Sequence, residues 1–281
     1  MSKNEKFFFT ISLILAVTAI QANTSTAYTL DWVAVQYRVH ESGNQINRLA
    51  IEIKDDAGNY VTSASAVTSY TLTDPSGSPV NLSNKRFDPL FDFYPAEYQP
   101  QYQAWWYGTQ TQISEFYADI LDPIVKGLYT LQVVMDTGQV LVGTRDVQYL
   151  LDLPTISSRS YQITTDLAGN VYWTWDIPVK LLEIAENHPE YNLQFRAGVS
   201  VVNNGKLTAL FWPNVPIQMG SSCVPAATYQ ELLSKGDEIR FSLQVRTGNN
   251  NSRAYSNSIM AEDRLNPVVT PKRSVVVLPM N

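Results

Sequence analysis

The sequence predicts an all-β protein, and three observations carry that prediction. Apolar and polar residues alternate over many short runs, Gly- and Asn-bearing turns separate the runs, and helical spacing appears only briefly. The first run holds Val33, Val35, Tyr37 and Val39 on one phase. The next, 48–54, puts Leu49, Ile51 and Ile53 on one face and Arg48, Glu52 and Lys54 on the other, as a strand with one buried face requires. Turns are expected at Asp56-Ala57-Gly58-Asn59 and Asp74-Pro75-Ser76-Gly77, where Gly and Asn supply positive φ. Tyr129, Leu131, Val133 and Met135 form a further strand, closed by Asp136-Thr137-Gly138. After Leu167-Ala168-Gly169-Asn170 come Leu193, Phe195, Ala197, Val199 and Val201, then Asn203-Asn204-Gly205. Ile239, Phe241, Leu243 and Val245 complete the set. Helical spacing is confined to 112–121, 179–186 and 228–234.

The chain has 281 residues, enough for two domains that each bury a core. At 16% charged residues it falls below the globular average of about 25%. Six Trp, sixteen Tyr and ten Phe supply more apolar area than a disordered chain carries. A net charge of −6 argues against nucleic acid as a partner, since that needs clustered cations to displace counterions.

Residues 1–22 read as a secretory signal peptide. Lys3 and Lys6 precede the apolar run 7–20, and Ala19-Ile20-Gln21-Ala22 gives small-x-small spacing for cleavage. The run is shorter than the roughly 20 residues that cross a bilayer, and no later stretch is long and apolar enough to do so. The expectation is a secreted or cell-surface protein, with the periplasm a further possibility. Cys223 is the sole cysteine, so no intrachain disulfide can form, and it reads as a buried small hydrophobe.

A boundary near Asp152-Leu153-Pro154 divides the remainder into 23–152 and 153–263, followed by a tail, 264–281. In the second half, Val171-Tyr172-Trp173-Thr174-Trp175-Asp176-Ile177-Pro178 resembles the second strand of a fibronectin type III domain, with its core Trp and following Pro. Residues 191–202 match its third strand, and Leu233-Ser234-Lys235-Gly236-Asp237-Glu238-Ile239-Arg240-Phe241 resembles the family's Leu-x-x-Gly-x-x-Tyr-x-Phe entry to the sixth. Ile239 replaces the corner Tyr, so that family's hydroxyl-to-backbone bond is not expected. In the first half, residues 49–59 and Gly127-Leu128-Tyr129-Thr130-Leu131 resemble bacterial immunoglobulin-like adhesion domains. The resemblance implies two tandem β-sandwiches, immunoglobulin-like then fibronectin type III-like, and no particular function.

The segment 84–120 reads as an aromatic insertion, a long loop between strands of the first half. It holds Tyr94, Tyr98, Tyr102, Trp105, Trp106 and Tyr107 among eleven rings from Phe87 to Tyr117. Rings beside amides and carboxylates suit a protein interface or a polysaccharide; equally, they can fold back as a lid and plug the core. In the tail, Val275, Val276, Val277 and Leu278 form a β-prone segment that could dock on a neighbouring sheet or pair with its own. Asp55, Asp56, Asp88, Asp92 and Asp166 read as turn formers, because no calcium loop surrounds them. Neither metal nor cofactor is implied. Arg196, Arg240, Arg246 and Arg253 fall on outward phases or turns and read as a solvated face. His40 and His188 stand in unrelated contexts, and no nucleophile or phosphate motif is present, so no enzyme is expected. The functional expectation is a non-catalytic recognition or assembly protein of a bacterial cell surface, binding protein or itself. Alternatives are a carbohydrate-binding module using the aromatic insertion and a β-sandwich hydrolase or lyase.

Overall fold

The computed structural model describes residues 27–99, 104–256 and 259–260. The signal-peptide region, Tyr102 and the Val275 to Leu278 segment lie outside them. The first half runs through β1 (Tyr28–His40), β2 (Asn47–Asp55), β3 (Val67–Thr73), β4 (Leu82–Gln99), β5 (Ala104–Ile120), β6 (Gly127–Met135) and β7 (Val140–Val147). The second contains β8 (Gln162–Thr165), β9 (Val171–Thr174), α1 (Val179–Asn187), β10 (Gln194–Asn203), β11 (Lys206–Phe211), β12 (Asn214–Pro216) and β13 (Ser221–Val224). It continues with α2 (Ala226–Leu233), β14 (Glu238–Arg246), β15 (Ser252–Tyr255) and β16 (Ile259–Met260).

The two short helices lie where the spacing places them, but 112–121 does not: it belongs to β5. Both phases of that stretch are largely buried, so it lacks polar contrast, and pairing with β2 on one side and β4 on the other fixes it as a strand. Nor is the aromatic segment a loop. It forms the long β4–β5 hairpin, with Leu82 opposite Ile120 at one end and Gln99 opposite Ala104 at the other.

Eight strands close into a ring in the order β1-β2-β5-β4-β11-β10-β14-β15 and back to β1. The two halves meet at parallel junctions: β4 with β11, where Phe93 faces Phe211, and β15 with β1, where Arg253 faces Arg38. The other contacts in the ring are antiparallel. Two three-stranded sheets, β3-β6-β7 and β13-β9-β8, complete the molecule.

Each small sheet shares an apolar core with one arc of the ring. Leu49, Ile51, Phe116 and Ala118 from the first arc pack with Tyr70, Leu72, Leu131 and Val133. Phe195, Val199, Phe211, Phe241 and Leu243 from the second pack with Val171 and Trp173, beneath Leu181 of α1 and Leu232 of α2. Trp173 is central, its ring meeting those of Tyr161, Trp175 and Phe241 at 5.2–5.5 Å between centroids in edge-on geometry. Each such pair adds roughly 0.5–1.5 kcal/mol beyond area burial. The tandem-sandwich expectation is therefore met in part. The chain is mostly β with two cores, but the four-stranded arcs join edge to edge into a mixed barrel instead of remaining separate. β1 and β4 give their outer edges to β15 and β11, satisfying backbone groups that an isolated sandwich would leave open.

Turn chemistry follows the sequence at Asp55 and Asp166, whereas Asp88 and Asp92, read as turn formers, lie within β4, paired with Glu115 and Thr111. Asp55 Oδ1 accepts the Asn59 N–H at 2.8 Å around Gly58 at φ +82°, and Asp166 Oδ1 accepts those of Ala168 and Asn170 at 2.9 Å. The segment between the halves is bound to the β14–β15 turn. Leu151 N–H donates to Ser252 Oγ at 2.9 Å, Ser252 Oγ donates to the Tyr149 carbonyl at 2.8 Å, and Asn251 Nδ2 donates to that of Asp146 at 2.9 Å.

Candidate functional site

Because the core-facing residues of the ring point outward to the small sheets, their alternating neighbours point inward. The polar phase read as solvent-facing thus lines a lumen of about 560 Å³. Arg38 comes from β1, Arg48 from β2, Arg196 from β10, Arg246 from β14 and Arg253 from β15. The expectation that Arg196, Arg246 and Arg253 form a solvated face is overturned. Ring closure folds that face onto the polar face of the first half. Arg240 sits nearer the rim, paired with Glu238.

Arg38 is 5% exposed, Arg253 6% and Arg246 9%. Among the described residues, none of the five guanidiniums has a carboxylate within 4 Å. They rest on rings and neutral groups. Arg38 lies 4.1 Å over the Tyr255 ring, and Arg48 and Arg86 each lie 4.7 Å from that of Tyr117. Arg253 donates through Nη1 to Tyr255 Oη at 3.1 Å and through Nη2 to Asn250 Oδ1 at 2.9 Å. Arg196 Nε donates to the Trp212 carbonyl at 3.4 Å. The Nε atoms of Arg38, Arg48, Arg246 and Arg253 and Arg38 Nη1 are buried with no hydrogen-bond partner. Leaving a buried charged donor unmatched costs about 1–3 kcal/mol or more, so this is a lumen short of acceptors.

The electrostatics agree. Burial, with neighbouring guanidiniums, brings Arg246 down to about 9 and Arg38 to about 10, which leaves both cationic at neutral pH. His40, stacked on Tyr255 at 5.0 Å, falls to about 4 through burial and then the charges of Arg38 and Arg48. Burial opposes ionisation of Tyr255, yet Arg253, Arg38 and Arg48 together outweigh it and bring the phenol down to about 7.

The other part of the lumen carries carboxyl groups. Glu52 and Glu115 hydrogen-bond to each other, and burial followed by the Glu115 charge pushes Glu52 up to about 8. Glu115 and Asp92 are also raised by burial, with Arg196 opposing in both cases. Asp31 accepts from Tyr60 Oη at 3.0 Å and Lys54 Nζ at 2.9 Å. Tyr60, Tyr94 and Ile113 line both this end and an outer groove of about 940 Å³ edged by Thr62, Thr109, Thr111 and Gln112. Trp212, Leu210 and Tyr117 add apolar surface to the lumen wall. Trp212 lies flat against Gly198, where a Cβ would meet its ring at 2.8 Å.

The aromatic candidates are scattered. Tyr94 stands at the lumen mouth and is 41% exposed. Tyr107 packs edge-on against Phe93 at 5.3 Å, at the second core. Tyr98 is paired in register with Trp105, and Glu97 with Trp106, towards the end of the hairpin. Phe87 and Phe116 pack together at 4.7 Å in the first core. Sequence reading passed over Arg38, Arg48, Glu52, Glu115 and Tyr255. The available signal was six arginines, Arg38, Arg48, Arg196, Arg240, Arg246 and Arg253, on the non-core phase of strands in a charge-poor chain.

Among the described residues, no group of three or more His, Cys, Asp or Glu is placed to hold a metal. His188 lies on the surface, stacked on Tyr191 and paired with Glu190 at 3.1 Å. Cys223 is buried and its thiol is pushed up to about 12 by burial.

No family model and no curated protein matches the chain. Solved structures resemble it weakly. The tandem immunoglobulin repeats of Dlar align over 83% of this chain and 99% of theirs, at 10% identity and TM-score 0.32. The 47-kilodalton lipoprotein Tp47 of Treponema pallidum aligns over 82% of this chain and 50% of its own, at 11% identity and TM-score 0.28. Murine CEACAM1b aligns over 81% and 98%, at 10% identity and TM-score 0.19. By its own strands the chain is mostly β, and its likeness to immunoglobulin-type structures is weak.

Proposed function

We propose that the chain is an exported, non-catalytic recognition protein that holds a small anionic molecule in the barrel lumen. The observation that carries this reading is the set of five inward guanidiniums without a carboxylate partner, three of them more than nine-tenths buried. A closed eight-stranded barrel is wide enough to hold one small ligand, and about 560 Å³ lies in the range of small-molecule sites. Guanidiniums match carboxylate and phosphate oxygens in a planar, two-pronged geometry. In this reading the halves are an immunoglobulin-like and a fibronectin type III-like sandwich joined through their sheet edges. The partner expected at a cell surface gives way to a solute inside the protein, because Phe87, Phe93, Tyr107 and Phe116 serve the cores.

The test is thermal unfolding of the purified chain with succinate, citrate or inorganic phosphate, in wild type and Arg38→Gln. A ligand at a hundredfold its Kd adds about 2.7 kcal/mol, a shift of several degrees at this size. Saturable stabilisation that disappears in Arg38→Gln supports the reading. No stabilisation by any of the three, or equal stabilisation of the variant, counts against it. The outer groove favours a second reading, carbohydrate recognition, since Tyr60 and Tyr94 stand beside threonines and Gln112. Retention on insoluble polysaccharide that Tyr94→Ala abolishes would bring it forward.

A further inference from the structure

The lumen is divided by sign. Arg38, Arg253 and Arg246 stand side by side in register across β1, β15 and β14, whereas Glu52 pairs with Trp32, six residues away from Arg38 along β1, in the fields of Glu115, Asp31 and Asp92. Arg196 feels both groups, yet its Nε is spent on the Trp212 carbonyl. Arg48 likewise lies in the fields of both Tyr255 and Glu115, but among the described residues no ion pair joins the two regions. Trp212 adds an apolar surface to the same wall, held flat by the absence of a side chain on Gly198.

Resting on the reading that the lumen binds a small molecule, we propose that its ligand is a small zwitterion of the amino-acid type, with its anionic group among Arg38, Arg246 and Arg253 and its ammonium group facing Glu52, Glu115 and Asp92. A bare anion would match the unpartnered guanidinium atoms but leave the carboxyl region uncompensated. A bare amine would do the reverse. One molecule carrying both charges satisfies both regions and loses its translational freedom once. Its hydrocarbon portion then has the apolar surfaces of Trp212, Leu210 and Tyr117 in the same lumen to lie against. Binding has a proton balance as well. The Glu52–Glu115 pair holds a proton that an arriving ammonium renders unfavourable, so that proton passes to buffer as the carboxylate forms.

Calorimetric titration of the full chain tests this with γ-aminobutyrate, butyrate and butylamine. The charge separation is then varied from glycine to 6-aminohexanoate. The expected result is that one amino acid of the series binds at least tenfold tighter than the carboxylate and the amine of its own length. The proton count, read from the dependence of heat on buffer ionisation enthalpy near pH 7, should shift toward uptake in Glu52→Gln, because the bound anion also raises the Tyr255 phenol. Glu115→Gln and Glu52→Gln should each remove the advantage over the carboxylate, the second serving where the first fails to fold. If the carboxylates bind as tightly as every amino acid, the zwitterion inference falls and the anion-binding lumen stands. If neither amino acids nor carboxylates bind, both fall.

Discussion

Raising the pH through neutrality should ionise one of this chain's sixteen tyrosines well before the others. Tyr255 sits 4.1 Å below the Arg38 guanidinium and accepts from Arg253 Nη1 at 3.1 Å, with Arg48 also contributing. The fall from 10.0 to about 7 is achieved against a desolvation that favours the neutral phenol. Each unit is worth about 1.4 kcal/mol, so the guanidinium field favours the phenolate by about 4 kcal/mol net of burial. The folded value lies below the unfolded one. The added stability is therefore fully present above about pH 10 and is lost as pH falls through about 7. The assay is an ultraviolet titration of phenolate absorbance on the folded protein, paired with unfolding curves across the same range. A step of one-sixteenth of the total tyrosine amplitude should appear near neutrality. It should vanish in Tyr255→Phe and move upward by a unit or more in Arg253→Met. A folded protein with no phenolate step below the ordinary tyrosine range, or a step that survives Tyr255→Phe, would refute this account of the lumen.

Three further expectations concern the wall and the cores. Glu52→Gln should stabilise the protein at neutral pH by on the order of 1–3 kcal/mol, because the fold holds the Glu52 proton up to about 8 while the unfolded chain releases it near 4.5. The wild type should therefore lose stability as pH rises between those values, and the variant's denaturant midpoint should be flatter over that window. Gly198→Ala brings a Cβ to 2.8 Å from the Trp212 ring, so it should cost about 1–3 kcal/mol in denaturant unfolding. The displaced indole should also shift tryptophan emission. Trp173→Ala empties the centre of the second core and should cost about 3–5 kcal/mol, read as a fall in Tm of roughly ten degrees.

The alternation of Leu49, Ile51 and Ile53 with Arg48, Glu52 and Lys54 was sufficient to fix β2 and its core face. It assigned a second environment to the other face but not its nature, since water and a polar lumen accept the same side chains. The difference is made by pairings such as Tyr37 with Ser252 and Phe93 with Phe211, and no local pattern encodes which distant edge a strand meets. The same limit hid the hairpin. Proline and clustered rings in 87–117 suggest a loop, yet β2 and β11 on either side supply backbone partners that hold it extended. Tyr94 was legible as a candidate binding ring; neither its exposure nor its place at a lumen mouth was.

The parallel junction between β1 and β15 has a consequence for how the molecule is made. Chain synthesis proceeds from the N-terminus, so β1 can pair with β2 early while its other edge waits for residues 252–255 to emerge. Until then the first half presents an unmatched strand edge beside Arg38 and Arg48, both polar on the face that will close. Positive charge on an open edge discourages pairing with a stray chain. The arginines that line the lumen of the finished protein thus also guard its unfinished edge. Closure of this last pairing, between segments so remote in sequence, is the step expected to pace folding.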